Sequence, residues 1–348
     1  MKERGFFMPG VDIGIDLGTS RVKIFVDGKG IVLSEPAVIA YNEDTEEIVA
    51  MGTEAYDMMG KTSSRILVEE PLSQGVISSF DLAQSLIQSY LRKISNSKVF
   101  MPRVVVSIPC EITEVEKRAV VDAISGVGVR KICLIEEPIA AALGADIDIS
   151  TPHGCLVVDI GGGTTDIAVI SLSGIAISRS IKVAGNSFDE AIIKAVRRKH
   201  NLLIGKRMAE TVKKQIGCVY PREVPVSCTV KGRNALTGLP QAVTVTSDDM
   251  LEALIEPAML IIREIQDVLE ETPPELMGDV YTDGIALTGG SAMLYGFDRL
   301  ISLKTKIRVR VAEDPQNCVV LGAGKSTAFI DDIENKAYGI LNPLSAAY

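Results

Sequence analysis

The chain carries one short phrase twice, and that repeat limits its fold more than any other feature. The first copy is Ile13-Gly14-Ile15-Asp16-Leu17-Gly18-Thr19-Ser20, continued by the alternating run Arg21-Val22-Lys23-Ile24-Phe25-Val26. The second is Val157-Val158-Asp159-Ile160-Gly161-Gly162-Gly163-Thr164-Thr165-Asp166, continued by Ile167-Ala168-Val169-Ile170. Each reads as a buried strand ending in Asp, a Gly/Thr turn, and a strand returning beside the first. Such turns offer backbone N–H groups and small hydroxyls, and glycine lets a phosphate come close to the main chain. One copy alone is equally an ordinary hairpin turn. Two copies with the same Asp, Gly, Thr order point to two similar domains that face each other and clamp a nucleotide's phosphates. Asp16 and Asp159 are short and act from the strand ends, so their expected task is to hold the water shell of a bridging Mg2+.

With 348 residues, 47% of them hydrophobic and 23% charged, the chain has the profile of a globular protein with room for two domains. No apolar run reaches the roughly 18 residues of a membrane span. The N-terminus, Met1-Lys2-Glu3-Arg4-Gly5-Phe6-Phe7-Met8-Pro9, lacks the apolar core of a signal peptide, so a cytoplasmic location is expected. A net charge of −9 argues against nucleic acid as a partner. The six cysteines (110, 133, 155, 218, 228, 318) include no Cys-x-x-Cys pair, so neither zinc nor a disulfide framework is expected, and several sit in apolar strand contexts as core residues. His153 and His200 lie in polar surroundings that give no support to a Ser/His/Asp hydrolase.

Strands and helices alternate along the rest of the chain, the pattern of an α/β architecture with mixed sheets. Residues 35 to 71 form a polar, loop-rich insertion with a short helix near Glu54 to Met59. Apolar spacing at Leu82, Leu86, Ile87, Tyr90 and Leu91 predicts a helix over 81–94, followed by a buried strand over 103–109. Thr113 and Glu116 form a capping-box signature for a helix that runs to about Gly126. A strand over 131–135 leads into Glu136-Glu137-Pro138 and a small-residue helix from Ile139 to Ala145. Later elements are a strand pair turning at Ser173-Gly174, a helix from Phe188 to about His200, and a more polar segment to Val245. A long helix follows, capped by Ser247 with Asp248 and Asp249, and Pro257 is expected to kink or shorten it. A strand over 284–288 stops at Gly289-Gly290, and Ser291 is expected to open a helix.

Several residues outside the hairpins are site candidates. Gly289-Gly290 is either a tight strand-to-helix turn or a place where backbone packs against a ring or phosphate. Glu210 and Lys213 lie one helical turn apart, either as a solvated i,i+3 ion pair or as hydrogen-bonding groups for a ribose or base edge. Glu137 should end its strand at the same sheet edge as the phosphate turns, where a carboxylate can orient an attacking water and accept its proton. Thr164 could help place that water, whereas Glu136 is expected to be structural or exposed.

At this point the residues match a known family. Asp16-Leu17-Gly18-Thr19, Glu136-Glu137-Pro138 with Ala140-Ala141-Ala142, Asp159-Ile160-Gly161-Gly162-Gly163-Thr164-Thr165 and Leu287-Thr288-Gly289-Gly290 resemble the signature of the actin, sugar kinase and heat-shock chaperone superfamily. The phrases Gly28 to Pro36, Pro102 to Val106, Thr113 to Arg118, Asn201 to Gly205, Thr237 to Pro240 and Ala312 to Pro315 resemble the MreB family of bacterial actins, over nearly the whole chain. That resemblance implies an actin-like fold: two related domains, four subdomains, and mixed sheets flanking a central nucleotide cleft for ATP or ADP with Mg2+. The expected partition puts 1–34, 71–144 and 319–348 in the core of domain I, with 35–70 as its small insertion. Residues 145–183 and 248–318 form the core of domain II, with 184–247 as its insertion. The resemblance further implies antiparallel filaments at the inner membrane surface, working with the cell-wall elongation machinery and its transmembrane adaptor to set rod shape.

By motif, Asp16, Asp159 and Asp166 would hold the metal through water. Gly18, Thr19, Ser20, Gly161, Gly162, Gly163 and Thr164 would cradle phosphates, Glu137 and Thr164 would place the hydrolytic water, and Glu210, Lys213, Gly289 and Gly290 would hold the nucleoside. The chain departs from the family pattern at Ser20-Arg21 (usually Ala-Asn), Asp166 (usually Glu), Ala184 and Ser291 (usually Gly), which bears on hydrolysis rate. Val99-Phe100-Met101 either packs inward or forms a membrane-inserting tip, with Phe6-Phe7-Met8 alongside. Phe100 and Met101 together would supply only about 3–6 kcal/mol to lipid binding, so attachment is expected to need a filament presenting many tips. A sugar-type kinase is the alternative reading, but no catalytic Asp facing a sugar pocket is evident. A chaperone ATPase would need a long substrate-binding region after the ATPase unit.

Overall fold

The computed structural model describes residues 12–94, 102–126 and 128–330, together with the backbone of 338–340. The two apolar membrane candidates, Phe6-Phe7-Met8 and Val99-Phe100-Met101, lie outside that part. Two mixed sheets are built on one plan. In the first, Asp12–Leu17 pairs antiparallel with Arg21–Val26 and parallel with Arg103–Ile108. In the second, Cys155–Ile160 pairs antiparallel with Thr165–Ser171 and parallel with Ile285–Thr288. A third antiparallel strand extends each hairpin: Gly30–Pro36 in the first sheet and Gly174–Ile181 in the second. Lys131–Glu136 and Tyr338–Ile340 complete a six-stranded sheet, and Val309–Val311 completes a five-stranded one. Val104 to Val106 and Cys133 to Ile135 are fully buried, because parallel strands covered on both faces must be apolar throughout.

Two small sheets stand apart from these. Ile39–Asn42, Ile48–Met51 and Ile66–Glu69 form one, with helix Thr53–Met58 packed on it. Leu202–Leu203, Ser227–Asn234 and Pro240–Thr246 form the other, beside helix Lys206–Ile216.

Helix starts follow local chemistry. The Thr113/Glu116 capping box is present and opens Glu114–Ser125, with Gly126 as its C-cap. Thr246, one residue earlier than expected, caps the long helix Ser247–Glu271, and Asp249 supplies the reciprocal hydrogen bond. Pro257 does not shorten this helix. An interior proline costs roughly 3 kcal/mol, but Met250, Leu254, Ala258, Ile261, Ile262, Ile265 and Val268 make a buried stripe on both sides of it. The next correction concerns Gly185–His200, which begins before Phe188 because Ala184 takes the N-cap position. Ser291 sits in the short 3-10 turn Gly290–Met293, and the α-helix proper starts at Phe297, after Gly296 adopts a left-handed conformation. Glu136, not Glu137, ends its strand; Glu137 is the first residue of helix Glu137–Gly144, with Pro138 in its first turn.

Between the two large sheets, helices Glu137–Gly144 and Cys318–Lys325 cross almost backbone to backbone. A Cβ added at Gly322 would fall 1.7 Å from the Ala140 carbonyl oxygen, and one at Gly144 would fall 1.8 Å from that of Cys318. A Cβ at Gly14 would likewise overlap the Gly324 backbone, which seats the second helix on the first hairpin. Neither backbone can yield without moving a sheet, so Gly322→Val is expected to lower stability by about 1–3 kcal/mol or more. Gly278, inside helix Pro274–Asp283, has open space where a Cβ would go. Gly278→Ala should therefore raise stability by roughly 0.5–1 kcal/mol. Thermal unfolding of the two variants against the parent checks both signs.

Candidate functional site

The sheet plan brings the two hairpin turns tip to tip. A Cβ at Gly162 would lie 2.0 Å from Ser20 Oγ, and one at Gly163 would lie 2.4 Å from Thr19 Oγ1. The turns therefore meet without side chains of their own on the Gly162-Gly163 side, leaving backbone beside the hydroxyls of Ser20 and Thr19. Gly161 N–H donates to Thr164 O at 2.9 Å and closes the second turn. That turn is fixed from outside as well: Gly161 O accepts from Ser291 Oγ at 2.7 Å, and Gly162 O accepts from Asn186 N at 2.8 Å. Ser291 thus ties the turn after the Ile285–Thr288 strand to the second hairpin turn.

The strand ends carry the acids. Register places Asp16 opposite Lys23 and Asp159 opposite Asp166. Lys23 is a buried ammonium 3.6 Å from Asp16 Oδ2, and it also donates to the Gln316 carbonyl across the cleft floor. Asp159 Oδ1 accepts from Thr288 Oγ1 at 2.7 Å. Burial, only partly offset by that bond, pushes the Asp159 carboxyl up to about 7. Asp16 is raised as well, by burial against the opposing pull of Lys23. Glu137, 8% exposed at the head of its helix, is held well above the usual carboxylate range, first by burial and then by the charges of Asp166, Asp159 and Asp16. Asp166 is fully buried behind this group, accepts from Cys110 N at 3.1 Å, and is raised by the same desolvation. Glu136 is half-buried rather than exposed, and burial raises it too.

An oxygen-rich, apolar-walled cluster with one ammonium suits a divalent cation, which would offset the mutual repulsion of the acids. Among the described residues no three His, Cys, Asp or Glu side chains converge closely enough to cage an ion directly. Asp16, Asp159 and Glu137 line the open cleft, so they fit an ion held through its own waters. Asp166 is absent from the cleft lining and stands behind Glu137.

The cleft above these acids has a volume of about 1180 Å3 and is lined by both hairpin turns, Gly289, Gly290, Glu210 and Lys213. Gly289 has φ near 87°, and a Cβ there would lie 2.3 Å from the Ile160 carbonyl oxygen, so the turn requires glycine. Glu210 and Lys213 do not pair with each other. Lys213 Nζ donates to Gly185 O and Asp189 Oδ2, both at 2.8 Å, while Glu210 Oε1 takes Lys214 Nζ at 2.6 Å. Burial raises the Asp189 carboxyl to about 6 despite Lys213. For Glu210 burial pulls upward too, but the hydrogen bonds from Lys214 and Tyr56 outweigh it and leave the carboxyl below its ordinary value. Arg21 does not bring its charge to the acids: its guanidinium is bonded back to Ser34 Oγ at 3.1 Å and to the Ser34 carbonyl.

Sequence reasoning missed several residues that the fold brings here: Lys23, Tyr56, Asp189, Thr288, Gln316 and the Gln74-Gly75 turn. Gly75 N–H donates to Thr19 Oγ1 at 3.0 Å, and a Cβ added at Gly75 would lie 2.9 Å from Thr164 Cγ2. The signal for that turn was present, because Gln74-Gly75 separates two short apolar runs as a tight hairpin does. Lys23 lay in the quoted run and was readable as a polar residue interrupting a buried strand.

Asp159 titrates higher in the folded chain than the ~3.9 of an unfolded one. The stability it contributes is therefore complete below that unfolded value and is lost as pH rises through about 7. Metal-free, ligand-free protein is expected to melt at a lower temperature at pH 8 than at pH 6, and Asp159→Asn should narrow the gap. A pH series of melting temperatures for both proteins checks this; a gap of the same size in the variant would refute it.

Comparison with known proteins agrees with this geometry. The MreB/Mbl protein family model matches residues 10–335. The chain is 44% identical over 337 residues to the cell shape-determining protein MreB of Escherichia coli, covering 95% of this chain and 96% of the relative. It is 43% identical over 327 residues to the cell shape-determining protein Mbl of Bacillus cereus, covering 94% and 98%. Among solved structures, MreB5 of Spiroplasma citri bound to AMPPNP superposes with a TM-score of 0.90 at 37% identity, covering 93% of this chain and 98% of that one. A double helical filament of MamK superposes with a TM-score of 0.78 at 24% identity, a likeness of fold. The fold is the actin-like one.

Proposed function

The chain belongs to the MreB/Mbl family, and from that premise we propose that it is an actin-like cytoskeletal ATPase whose nucleotide state controls assembly into membrane-associated, shape-determining filaments. The observation that carries the reading is the pair of hairpin turns meeting tip to tip over buried carboxylates, in a cleft large enough for a nucleotide. A relative in this family has been solved with AMPPNP and with ADP, which supports the same ligand class here. The two large sheets with their helices are the two proposed domains, and segments 35–70 and 184–247 are the proposed insertions.

The residues divide the work as follows. Gly18, Thr19, Ser20 and Gly161 to Thr164 bind the phosphates through backbone and hydroxyl groups. Glu210 and Lys213 hold the nucleoside from one side, and Gly289-Gly290 from the other. Mg2+, when bound, would supply the positive charge that draws off the electrons of the breaking phosphate bond. Asp16 and Asp159 would hold it through its waters. Glu137 and Thr164 position the attacking water, and Glu137 in its ionised form accepts that water's proton. Asp166, behind Glu137, fixes that carboxyl and is not itself a metal-facing group in this reading. Slow hydrolysis then acts as a timer for contacts between subunits in antiparallel filaments.

Among the described residues no helix is long and apolar enough to cross a membrane. Membrane contact is proposed to come from Phe100 and Met101, with the cell-wall elongation machinery and its transmembrane adaptor as further partners. High-speed pelleting in Mg-ATP, Mg-ADP or no nucleotide, with and without anionic vesicles, tests the reading. ATP-dependent pelleting is expected, and a protein that binds ATP yet never pellets would overturn it. Glu137→Ala should lower phosphate release by about 10²–10⁴-fold while nucleotide still binds. Phe100→Ser with Met101→Ser should abolish vesicle pelleting yet leave nucleotide binding intact.

A further inference from the structure

The cleft continues past the groups assigned to the nucleoside, along two elements that run side by side. Helix Lys206–Ile216 ends at Gly217, one turn beyond Lys213. The chain after Gly290 reaches Tyr295 through the 3-10 turn Gly290–Met293. The two are tied backbone to backbone, because Cys218 bridges Tyr295 and Val219 N–H donates to Tyr295 O at 3.0 Å. Gly217, Arg222, Met293 and Tyr295 all line the cleft at this end. Gly290 has open space where a Cβ would go, the room that a flat ring needs against backbone.

Arg222 is held at this end by a ring more than by hydrogen bonds. Its guanidinium stacks on Tyr295, 4.0 Å from the ring centroid. Nη2 donates to Gly217 O at a long 3.3 Å, and Nε is buried without a hydrogen-bond partner among the described residues. Among the described residues no carboxylate pairs with it. Burial raises the Cys218 thiol, and the charge and hydrogen bond of Arg222 pull the other way, which puts the guanidinium beside that thiol. Stacking therefore fixes the plane of the fork, and its terminal nitrogens keep donors to spare. Lys214, the other cation lining this end, is already taken by Glu210.

We propose that Arg222, braced on Tyr295, reads the purine base and favours guanine over adenine; this rests on the nucleotide reading above. A guanidinium has only donors to offer. Guanine presents two adjacent acceptors, O6 and N7, that match both prongs of the fork. Adenine presents N7 beside an amino group, which is itself a donor. Arg222 thus makes two bonds to guanine and one to adenine. Both bases enter the slot beside Gly290, and Arg222 sets the ratio of their affinities. Tyr295 is the positioning residue, since its ring holds the plane in which the fork meets the base edge.

The test uses the full chain, Mg2+ and a fluorescent N-methylanthraniloyl ADP, displaced by ATP, GTP, ITP or 7-deaza-GTP. Arg222→Ala should lower the ratio of GTP to ATP affinity by about 5- to 100-fold. ITP, which keeps O6 and N7 but lacks the 2-amino group, should follow GTP. Arg222→Lys keeps the charge without the planar fork and should recover only part of the ratio. Tyr295→Ala should lower the ratio too, whereas Tyr295→Phe, which keeps the ring, should hold it. In the parent, 7-deaza-GTP should bind about fivefold or more weaker than GTP, a difference that Arg222→Ala erases. The inference is overturned by an unchanged ratio in Arg222→Ala, by ATP and GTP weakened alike, or by 7-deaza-GTP matching GTP in the parent. Tyr295→Ala at the parent ratio refutes the bracing. A parent that binds no nucleotide overturns the functional reading, and the inference falls with it; a parent that binds ATP while Arg222→Ala shifts both bases alike overturns the inference alone.

Discussion

The close crossing of helices Glu137–Gly144 and Cys318–Lys325 is the contact on which the remaining architecture depends. Gly322 against the Ala140 carbonyl, and Gly144 against that of Cys318, bring the two backbones nearer than any side chain would permit. The pair bridges the two sheets: Glu137–Gly144 continues directly from the first sheet and packs on Cys155–Ile160 of the second, and Cys318–Lys325 lies on the first hairpin while following the last strand of the second sheet. The crossing therefore sets the spacing of the sheets, and the spacing sets how the two Gly/Thr turns meet. It also carries Glu137, the first residue of its helix, at the edge of the cleft.

The floor of the cleft is electrostatically costly in the absence of a ligand. Asp16, Asp159, Asp166 and Glu137 are all buried, all raised by desolvation, and faced by the single ammonium of Lys23 among the cleft-floor residues described. A chain that needed only stability would fill this space with apolar side chains. Retaining the acids makes sense where a cation and a polyanion arrive together and neutralise them. Asp166, one methylene shorter than the Glu that the family resemblance leads one to expect, accepts a hydrogen bond from the Cys110 N–H behind Glu137.

Much of this was legible before any coordinates. The repeated hairpin phrase predicted both sheets' central strands and the site between them, because strand, turn and phosphate chemistry all agree there. The Thr113/Glu116 box gave a helix start correctly, since a cap depends on residues three apart. What escaped were relations between distant segments. Nothing local to Lys213 says that Asp189 will take its ammonium, or that Tyr56 will bond to Glu210 across a separation of 154 residues. Pro257 misled for the opposite reason: a local cost was outweighed by a buried stripe extending well beyond the proline. The position of the Arg21 charge was equally illegible in the sequence: Ser34 on the adjacent strand binds the guanidinium.

The two ends of the cleft obey different physics, and this gives the molecule two separate handles on one ligand. At the floor the groups are desolvated, so their interactions are strong, little screened by salt, and sensitive to the charge of what is bound. At the mouth the charged pairs Lys206–Glu70 and Arg207–Asp57 are partly in water and individually weak. On the proposed nucleotide reading, loss of a terminal phosphate would change the charge at the floor and touch no residue of the mouth. Any effect on the mouth has to travel through the relative position of the two large sheets, and the glycine-lined helix crossing is the place where that position is set.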